Sequence, residues 1–234
     1  MTNWRRLIVR ELGAVIALAV VAILLLAFAK LASEVGEGET RGFDTAIMLG
    51  LRTPGDTALP IGPAWLSGVL LDFTALGGTA VLALVTLVTA TYLLVARKAG
   101  VALFLLFAVA GGSLLNLLMK SGFDRARPDL VAHLVKAQSS SFPSGHAMNS
   151  AIVYLTLGTL LARAVPQRAL KSYVIGVAVL LTLIVGCSRV YLGVHWPTDV
   201  IGGWAIGASW AILCWLAELG LRRRYGRASG QAAL

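Results

Sequence analysis

Six apolar runs of membrane-crossing length constrain this chain more than any other feature. A helix crosses a hydrocarbon core about 30 Å thick with roughly 17 to 25 predominantly apolar residues. Runs near that length occupy Gly13–Leu31, Gly77–Val95, Val101–Leu118, Ala147–Ala164, Tyr173–Gly186 and Val200–Leu219. The fifth is the shortest, and it reaches full length only by taking in Cys187, Ser188 and Arg189. With 58% hydrophobic and 13% charged residues, and a mean hydropathy of +0.82, the chain is too apolar for a water-soluble domain of this size. The expected fold is all-α, a polytopic membrane helix bundle with six transmembrane helices and a short external interfacial helix.

The basic residues orient that bundle. Arg5, Arg6, Arg10, Arg97, Lys98, Arg163, Arg168, Lys171, Arg222, Arg223, Arg224 and Arg227 all fall on one side of the expected spans. These twelve of the twenty Lys and Arg face only Glu11 and Glu218, a net of +10, whereas the other side carries eight basic and nine acidic residues, a net of −1. Both termini are therefore expected to be cytoplasmic. The overall charge of +9 follows from this topology and from attraction to anionic headgroups, so no nucleic-acid partner is expected. Arg5 and Arg6 ahead of an apolar run resemble a secretory signal. The run is longer than a typical signal core, however, and Ala29 to Ser33 make a poor cleavage site, so an uncleaved first span is expected.

The longest stretch outside the runs, Ala32 to Gly78, is expected to be external. Pro54, Gly55, Pro60, Gly62 and Pro63 exclude one continuous helix there. Trp65, Val69 and Phe73 recur every four residues with Leu66 and Leu70 beside them, which predicts a short amphipathic helix in the interface. Glycines within or beside the spans, Gly202, Gly203 and Gly207 among them, read as close helix packing. Cys187 and Cys214 lie near the end of one run and within another, without metal-ligand spacing, and read as packing residues.

Three polar clusters sit where runs begin or end, and counting spans places all three on the same, less basic side. Lys120, Arg125 and Arg127 follow the third run, closed by Pro128. A single cation at a helix end commonly snorkels to the headgroups, but three within eight residues supply both a compact charge and planar forks suited to phosphate oxygens. Pro143, Ser144, Gly145 and His146 open the fourth run. Ser144 is an N-cap candidate and Gly145 permits close backbone approach, so the first-turn amides make an anion site. His146 adds an ionisable group at its mouth, which favours acid/base work over filler. Ser188 and Arg189 end the fifth run, His195 follows after five intervening residues, and Asp199 falls in the first turn of the sixth helix behind Pro197. An acid is favourable there through the helix dipole alone. At i+4 its carboxylate also reaches a ring nitrogen of His195, which would fix the tautomer and free the opposite nitrogen as a nucleophile.

Written K-x6-R-P, P-S-G-H and S-R-x5-H-x3-D, the clusters resemble the three-part signature of the type 2 phosphatidic acid phosphatase (lipid phosphate phosphatase) superfamily, complete and in order from Lys120 to Asp199. The resemblance implies a single membrane phosphatase domain over 1–234. It implies that His195 attacks phosphorus and becomes a phosphohistidine, with Asp199 orienting it and His146 protonating the leaving oxygen and then activating water. Lys120, Arg127, Arg189, Ser144 and Gly145 would hold the phosphate oxygens, with Pro128, Pro143 and Ser188 supporting. No metal or other cofactor is expected, because Asp124, Asp129 and Asp199 are few and closely accompanied by cations. His133 and Lys136 read as solvated loop residues.

A site at the outer face, reached from the bilayer, selects a phosphate on something hydrophobic. By analogy with bacterial members, the membrane lipid phosphates to consider are undecaprenyl diphosphate, ranked slightly first, phosphatidylglycerol phosphate and phosphatidate. A lipid phosphotransferase using the same phosphohistidine and a lipid transporter or flippase stay open as alternatives, while six spans argue against a haloperoxidase.

Overall fold

The computed structural model describes residues 3–137 and 139–231, with side chains described over 11–137 and 139–222. The side chains of Arg5, Arg6, Arg10, Arg223, Arg224 and Arg227, part of the charge argument for orientation, lie outside the described residues. In chain order the elements are α1 (Asn3–Glu37), α2 (Arg41–Gly50), β1 (Arg52–Thr53), β2 (Asp56–Pro60), α3 (Ala64–Ala75), α4 (Thr79–Val95), α5 (Ala99–Gly122), α6 (Gly145–Ala164), α7 (Arg168–Tyr191) and α8 (Pro197–Gln231).

Each expected apolar run lies in one of the long helices, α1, α4, α5, α6, α7 or α8, apart from Gly77 and Gly78 just ahead of α4. Among the described residues, four helices are long and apolar enough to cross a membrane alone: Glu11–Glu37 of α1, α5, α7 and Pro197–Arg222 of α8. The pair α3 and α4, bent by 47° at a short break, makes a fifth if counted as one span. Helix α6 is not among them. It packs against α4, α5, α7 and α8 and buries nine residues, including Ser150 and Thr156, so it presents little surface that would need to match lipid. The outer helices do: Leu84, Leu87 and Val88 of α4 and Leu114, Leu117 and Leu118 of α5 are exposed, a coat suited to hydrocarbon rather than water.

Small residues bring α8 onto α6, as expected. A Cβ added at Gly203 would lie 2.6 Å from the Ser144 carbonyl oxygen, and one at Gly207 would lie 2.5 Å from that of Met148. The two backbones therefore touch along one turn, the usual result of a small-xxx-small pair. Phe142, fully buried, stacks on Phe28 of α1 at 5.6 Å between centroids and meets Phe123 edge-on at 4.9 Å. This aromatic trio clamps the strand of chain that leads into α6.

The segment between α1 and α4 holds more structure than its composition predicts, and a two-stranded antiparallel hairpin, β1 with β2, qualifies the all-α expectation. Gly55 turns the hairpin at φ +86°, a conformation open to glycine at little cost. Helix α2 was not foreseen, although its segment is amphipathic, and its inward residues are Asp44 and Met48, so the buried face carries an acid beside an apolar side chain. Helix α3 forms over the residues expected to be helical. Its inward face, however, is Leu66 and Leu70, packed on Tyr191, Leu192 and Val194, while Trp65 is 65% exposed.

Candidate active site

The three clusters meet at one end of the bundle, away from the basic junctions at Arg97–Lys98 and Arg163–Arg168. Backbone hydrogen bonds stitch them together. Ser144 N donates to the Asp199 carbonyl at 2.9 Å, Ser141 N to that of Arg125 at 2.9 Å, and Leu134 N to that of Leu192 at 3.0 Å. Positions far apart in sequence are thus held in register by main chain, before any side chain is considered.

His195 lies in the turn between α7 and α8, 2% exposed, above a fully buried Asp199. Its Nδ1 lies 3.3 Å from Asp199 Oδ2, the i+4 pairing expected from sequence. The same carboxylate oxygen accepts from Trp196 N at 2.8 Å and from Ser141 Oγ. A proton on Nδ1 facing the carboxylate leaves the lone pair on Nε2, and Arg127 Nη1 approaches that nitrogen to 3.3 Å. Burial lowers the imidazole from 6.5 to about 4. Asp199 opposes the shift through its hydrogen bond and its charge, while Arg127 and Arg189 add to it. His195 is therefore neutral at neutral pH, the form a nucleophile requires. Gly193, two residues earlier, has φ +80°, and a Cβ there would sit 2.5 Å from the Ala132 carbonyl oxygen, so the turn presenting His195 depends on a glycine.

The cations surround that turn. Arg127 Nη1 donates to the Val194 carbonyl at 2.6 Å and Nε to the Ser139 carbonyl at 2.9 Å. Lys120 Nζ donates to Ser139 Oγ at 2.6 Å and to the Ser140 carbonyl at 3.3 Å, so Ser139 bridges the two. Arg189, 4% exposed, donates from Nη1 to Thr74 Oγ1 at the end of α3 at 2.9 Å. Its Nε has no hydrogen-bond partner among the described residues.

Ser144 occupies the N-cap position of α6, as expected, but its side chain makes no capping bond. Its buried Oγ has no partner among the described residues, a polar atom held in reserve rather than spent on the helix. At Gly145 a Cβ would lie 3.0 Å from Asn116 Nδ2 and 3.4 Å from Lys120 Cε, so its hydrogen lets α6 approach α5 beside the lysine. His146 packs beneath Gly77, where a Cβ would lie 3.4 Å from the imidazole Cδ2.

Among the supporting residues, Pro128 and Pro143 are buried. Ser188 turns back on its own helix, donating to the Val185 carbonyl at 2.7 Å. The exposed His133 pairs through Nε2 with the Pro128 carbonyl at 2.5 Å, and Lys136 is exposed. Cys187 and Cys214 are both free.

Sequence reasoning grouped Arg125 with the other cations but gave it no role, and it missed Asp44. Arg125 Nη1 donates to Asp199 Oδ1 at 2.6 Å and to Thr198 Oγ1 at 2.8 Å. Its Nη2 donates to Asp44 Oδ2 at 2.7 Å. Asp44, fully buried, also accepts from Thr198 N at 3.0 Å and from Thr198 Oγ1 at 2.6 Å. Helix α2 is thereby tied to the carboxylate that orients His195. The available signals were the helical amphipathicity of Arg41–Gly50 and an acid on its inward stripe.

Residues 101–223 match the family profile of the PAP2 superfamily. Phosphatidylglycerophosphatase B of Bacillus subtilis is 38% identical over 151 residues, 64% of this chain and 74% of that protein. An undecaprenyl-diphosphatase of Sulfolobus acidocaldarius is 43% identical over 75 residues, 32% of each chain. The crystal structure of a transmembrane PAP2-type phosphatidylglycerolphosphate phosphatase from Bacillus subtilis superposes with a TM-score of 0.79 at 32% identity, covering 87% of this chain and 98% of that one.

Proposed function

The chain belongs to the PAP2 superfamily, and from that premise we propose that it hydrolyses a membrane lipid phosphate without a metal, through a phosphohistidine on His195. It is a membrane phosphatase, a hydrolase of phosphoric ester bonds, like its relatives. The observation that carries the proposed route is the imidazole of His195, held at Nδ1 by Asp199 and turned with Nε2 toward Arg127.

In the first step Nε2 attacks phosphorus in line. The N–P bond forms as the bond to the leaving oxygen breaks, and His146 gives that oxygen its proton. Lys120, Arg127 and Arg189, with the free Oγ of Ser144 and the amide of Gly145, hold the non-bridging oxygens and neutralise their growing charge. In the second step His146 takes a proton from water, the water oxygen bonds to phosphorus, and the N–P bond breaks. Three fixed cations supply the charge stabilisation that a metal provides in other phosphatases.

The substrates are a phosphomonoester or diphosphate of a membrane lipid, namely undecaprenyl diphosphate, phosphatidylglycerol phosphate or phosphatidate. The chain acts as one domain over 1–234 in a cell membrane. It has six spans, with α4 as the second and α6 counted inside the bundle, and α3 is the short external helix at the outer interface. The termini are cytoplasmic and the site opens to the outer face, in keeping with the basic residues gathered at the opposite helix ends.

The test is phosphate release by the purified protein in detergent with EDTA, on each of the three lipids, beside His195→Ala. Release that survives EDTA and disappears in the variant supports the proposal. No release from any lipid overturns it, and transfer of the phosphoryl group to a second lipid with little free phosphate makes the protein a phosphotransferase.

A further inference from the structure

The general acid marks the side of the site on which the leaving group lies, and a small cavity is found deeper in the bundle on that side. It holds about 70 Å³ between α4, α5 and α6, with Thr79, Ser113 and Asn149 as its polar lining and apolar side chains around the rest. Asn149 follows His146 by three residues on α6, which places it one turn deeper on the same face. Ser113 precedes Lys120 by seven residues, two turns deeper on the same face of α5. Thr79 opens α4 two residues beyond Gly77, which packs on the His146 imidazole. The cavity therefore lies about one turn deeper in the bundle than His146.

Asn149 Oδ1 is buried and has no hydrogen-bond partner among the described residues. A polar group left unpaired away from water is costly, and polar side chains within a membrane bundle commonly mark a substrate path. Thr79 and Ser113 are exposed, so the cavity opens sideways at the surface of the bundle. A lipid held there can keep its chains in the bilayer.

We infer that this cavity is the subsite for the polar linker of the leaving group, the ester and hydroxyl groups that join phosphate to the chains of a glycerolipid, with Asn149 as the residue that bonds them. The inference rests on the phosphatase reading and on His146 as its acid. Three helical residues rise about 4.5 Å, close to the span from phosphorus to the first ester oxygen of a phosphatidate. A side-chain amide offers a donor and an acceptor together, which suits an ester carbonyl or a hydroxyl. An isoprenoid monophosphate presents only hydrocarbon at that depth and leaves the amide unpaired, so the subsite favours glycerolipid phosphates over isoprenoid monophosphates.

The experiment compares kcat/KM for phosphate release from dioleoyl phosphatidate and from farnesyl phosphate, using the full chain in detergent, wild type against Asn149→Leu. The expected result is a shift of about tenfold in the ratio of the two values, against phosphatidate, as one hydrogen bond is lost with the ester-bearing lipid alone. Equal losses on the two lipids, or an unchanged ratio, overturn the inference while leaving the phosphatase reading intact. Wild-type protein that releases phosphate from neither lipid overturns the inference, and the phosphatase reading falls with it only if phosphatidylglycerol phosphate and undecaprenyl diphosphate are also left intact. If Asn149→Leu does not purify as a folded protein, Thr79→Val at the rim decides: a shift in the same direction supports the subsite, and an unchanged ratio overturns it.

Discussion

Arg125 Nη1 lies 2.6 Å from Asp199 Oδ1, on the carboxylate oxygen that His195 does not use. The other nitrogen of the same fork holds Asp44. One guanidinium thus sets the position of the acid that sets the position of the imidazole, and it ties both to a helix that lies outside the span of the family match.

Replacing Arg125 tests that arrangement. Arg125→Ala would leave two buried carboxylates without their cation, a loss of about 3–5 kcal/mol, seen as a sharp drop in thermal midpoint in detergent. Arg125→Lys restores the charge but not the fork. The lysine protein is expected to melt closer to wild type yet remain slower in kcat, and full recovery of kcat would show that charge alone suffices.

Asp44→Asn keeps the shape of the side chain but removes a charge that Arg125 and Thr198 both bond. A stability loss of about 1–3 kcal/mol and a fall in kcat with little change in KM are expected, because Asp44 acts through Asp199 rather than on substrate. A rise in KM at constant kcat would contradict this.

The pH profile follows from His195. Its folded value, about 4, lies below the ordinary 6.5. Neutral imidazole therefore persists well into acid, and the acid limb that His195 contributes to kcat/KM is expected near pH 4 rather than 6.5. The stability consequence has a definite sign. Below 6.5 the unfolded chain takes up the proton first, so stability falls as pH drops from 6.5 toward 4 and then levels off. His195→Gln is expected to lose that segment of the dependence, as read from thermal midpoints against pH.

His146→Ala separates substrate types. A diphosphate releases phosphate, a better leaving group than the alkoxide of a monoester, so the general acid matters less to it. The variant is expected to lose more on phosphatidate than on undecaprenyl diphosphate, out of the roughly 10²–10⁴-fold that such an acid supplies. Equal losses would reject His146 as the acid.

Gly193→Ala tests the turn itself. A methyl group would meet the Ala132 carbonyl oxygen at a backbone angle that disfavours a side chain. A cost of about 1–3 kcal/mol and a displaced His195 are expected, measured as lower kcat together with a lower thermal midpoint.

Local geometry accounts for what was legible in the sequence. The apolar runs give helices because length and composition are properties of a segment alone. Two of the clusters mark helix ends in the same way, at Gly145 and at Asp199. His195 and Asp199 pair because four residues at the head of a helix fix their separation. The chain also declared its chemistry early, since phosphate-binding cations and a paired histidine are residue types as much as positions.

The illegible parts are those where the choice is made by a distant partner. Periodicity offered two adjacent stripes on α3, and packing against Tyr191 and Leu192 selected Leu66 and Leu70 over Trp65 and Val69. Ser144 read as a cap, yet packing buried its hydroxyl without a capping bond. Thr74 and Arg189 are 115 positions apart, and Asp44 and Arg125 are 81 apart, separations to which no spacing rule applies. The sequence by itself determined the helices, the polar clusters at their ends and the His195–Asp199 pair, because each depends on interactions within a few residues. Only the tertiary structure decided that α2 and α3 bond Arg125 and Arg189, and that Asn149 lines a cavity one turn below His146, because those relations exist only once helices remote in the chain have packed.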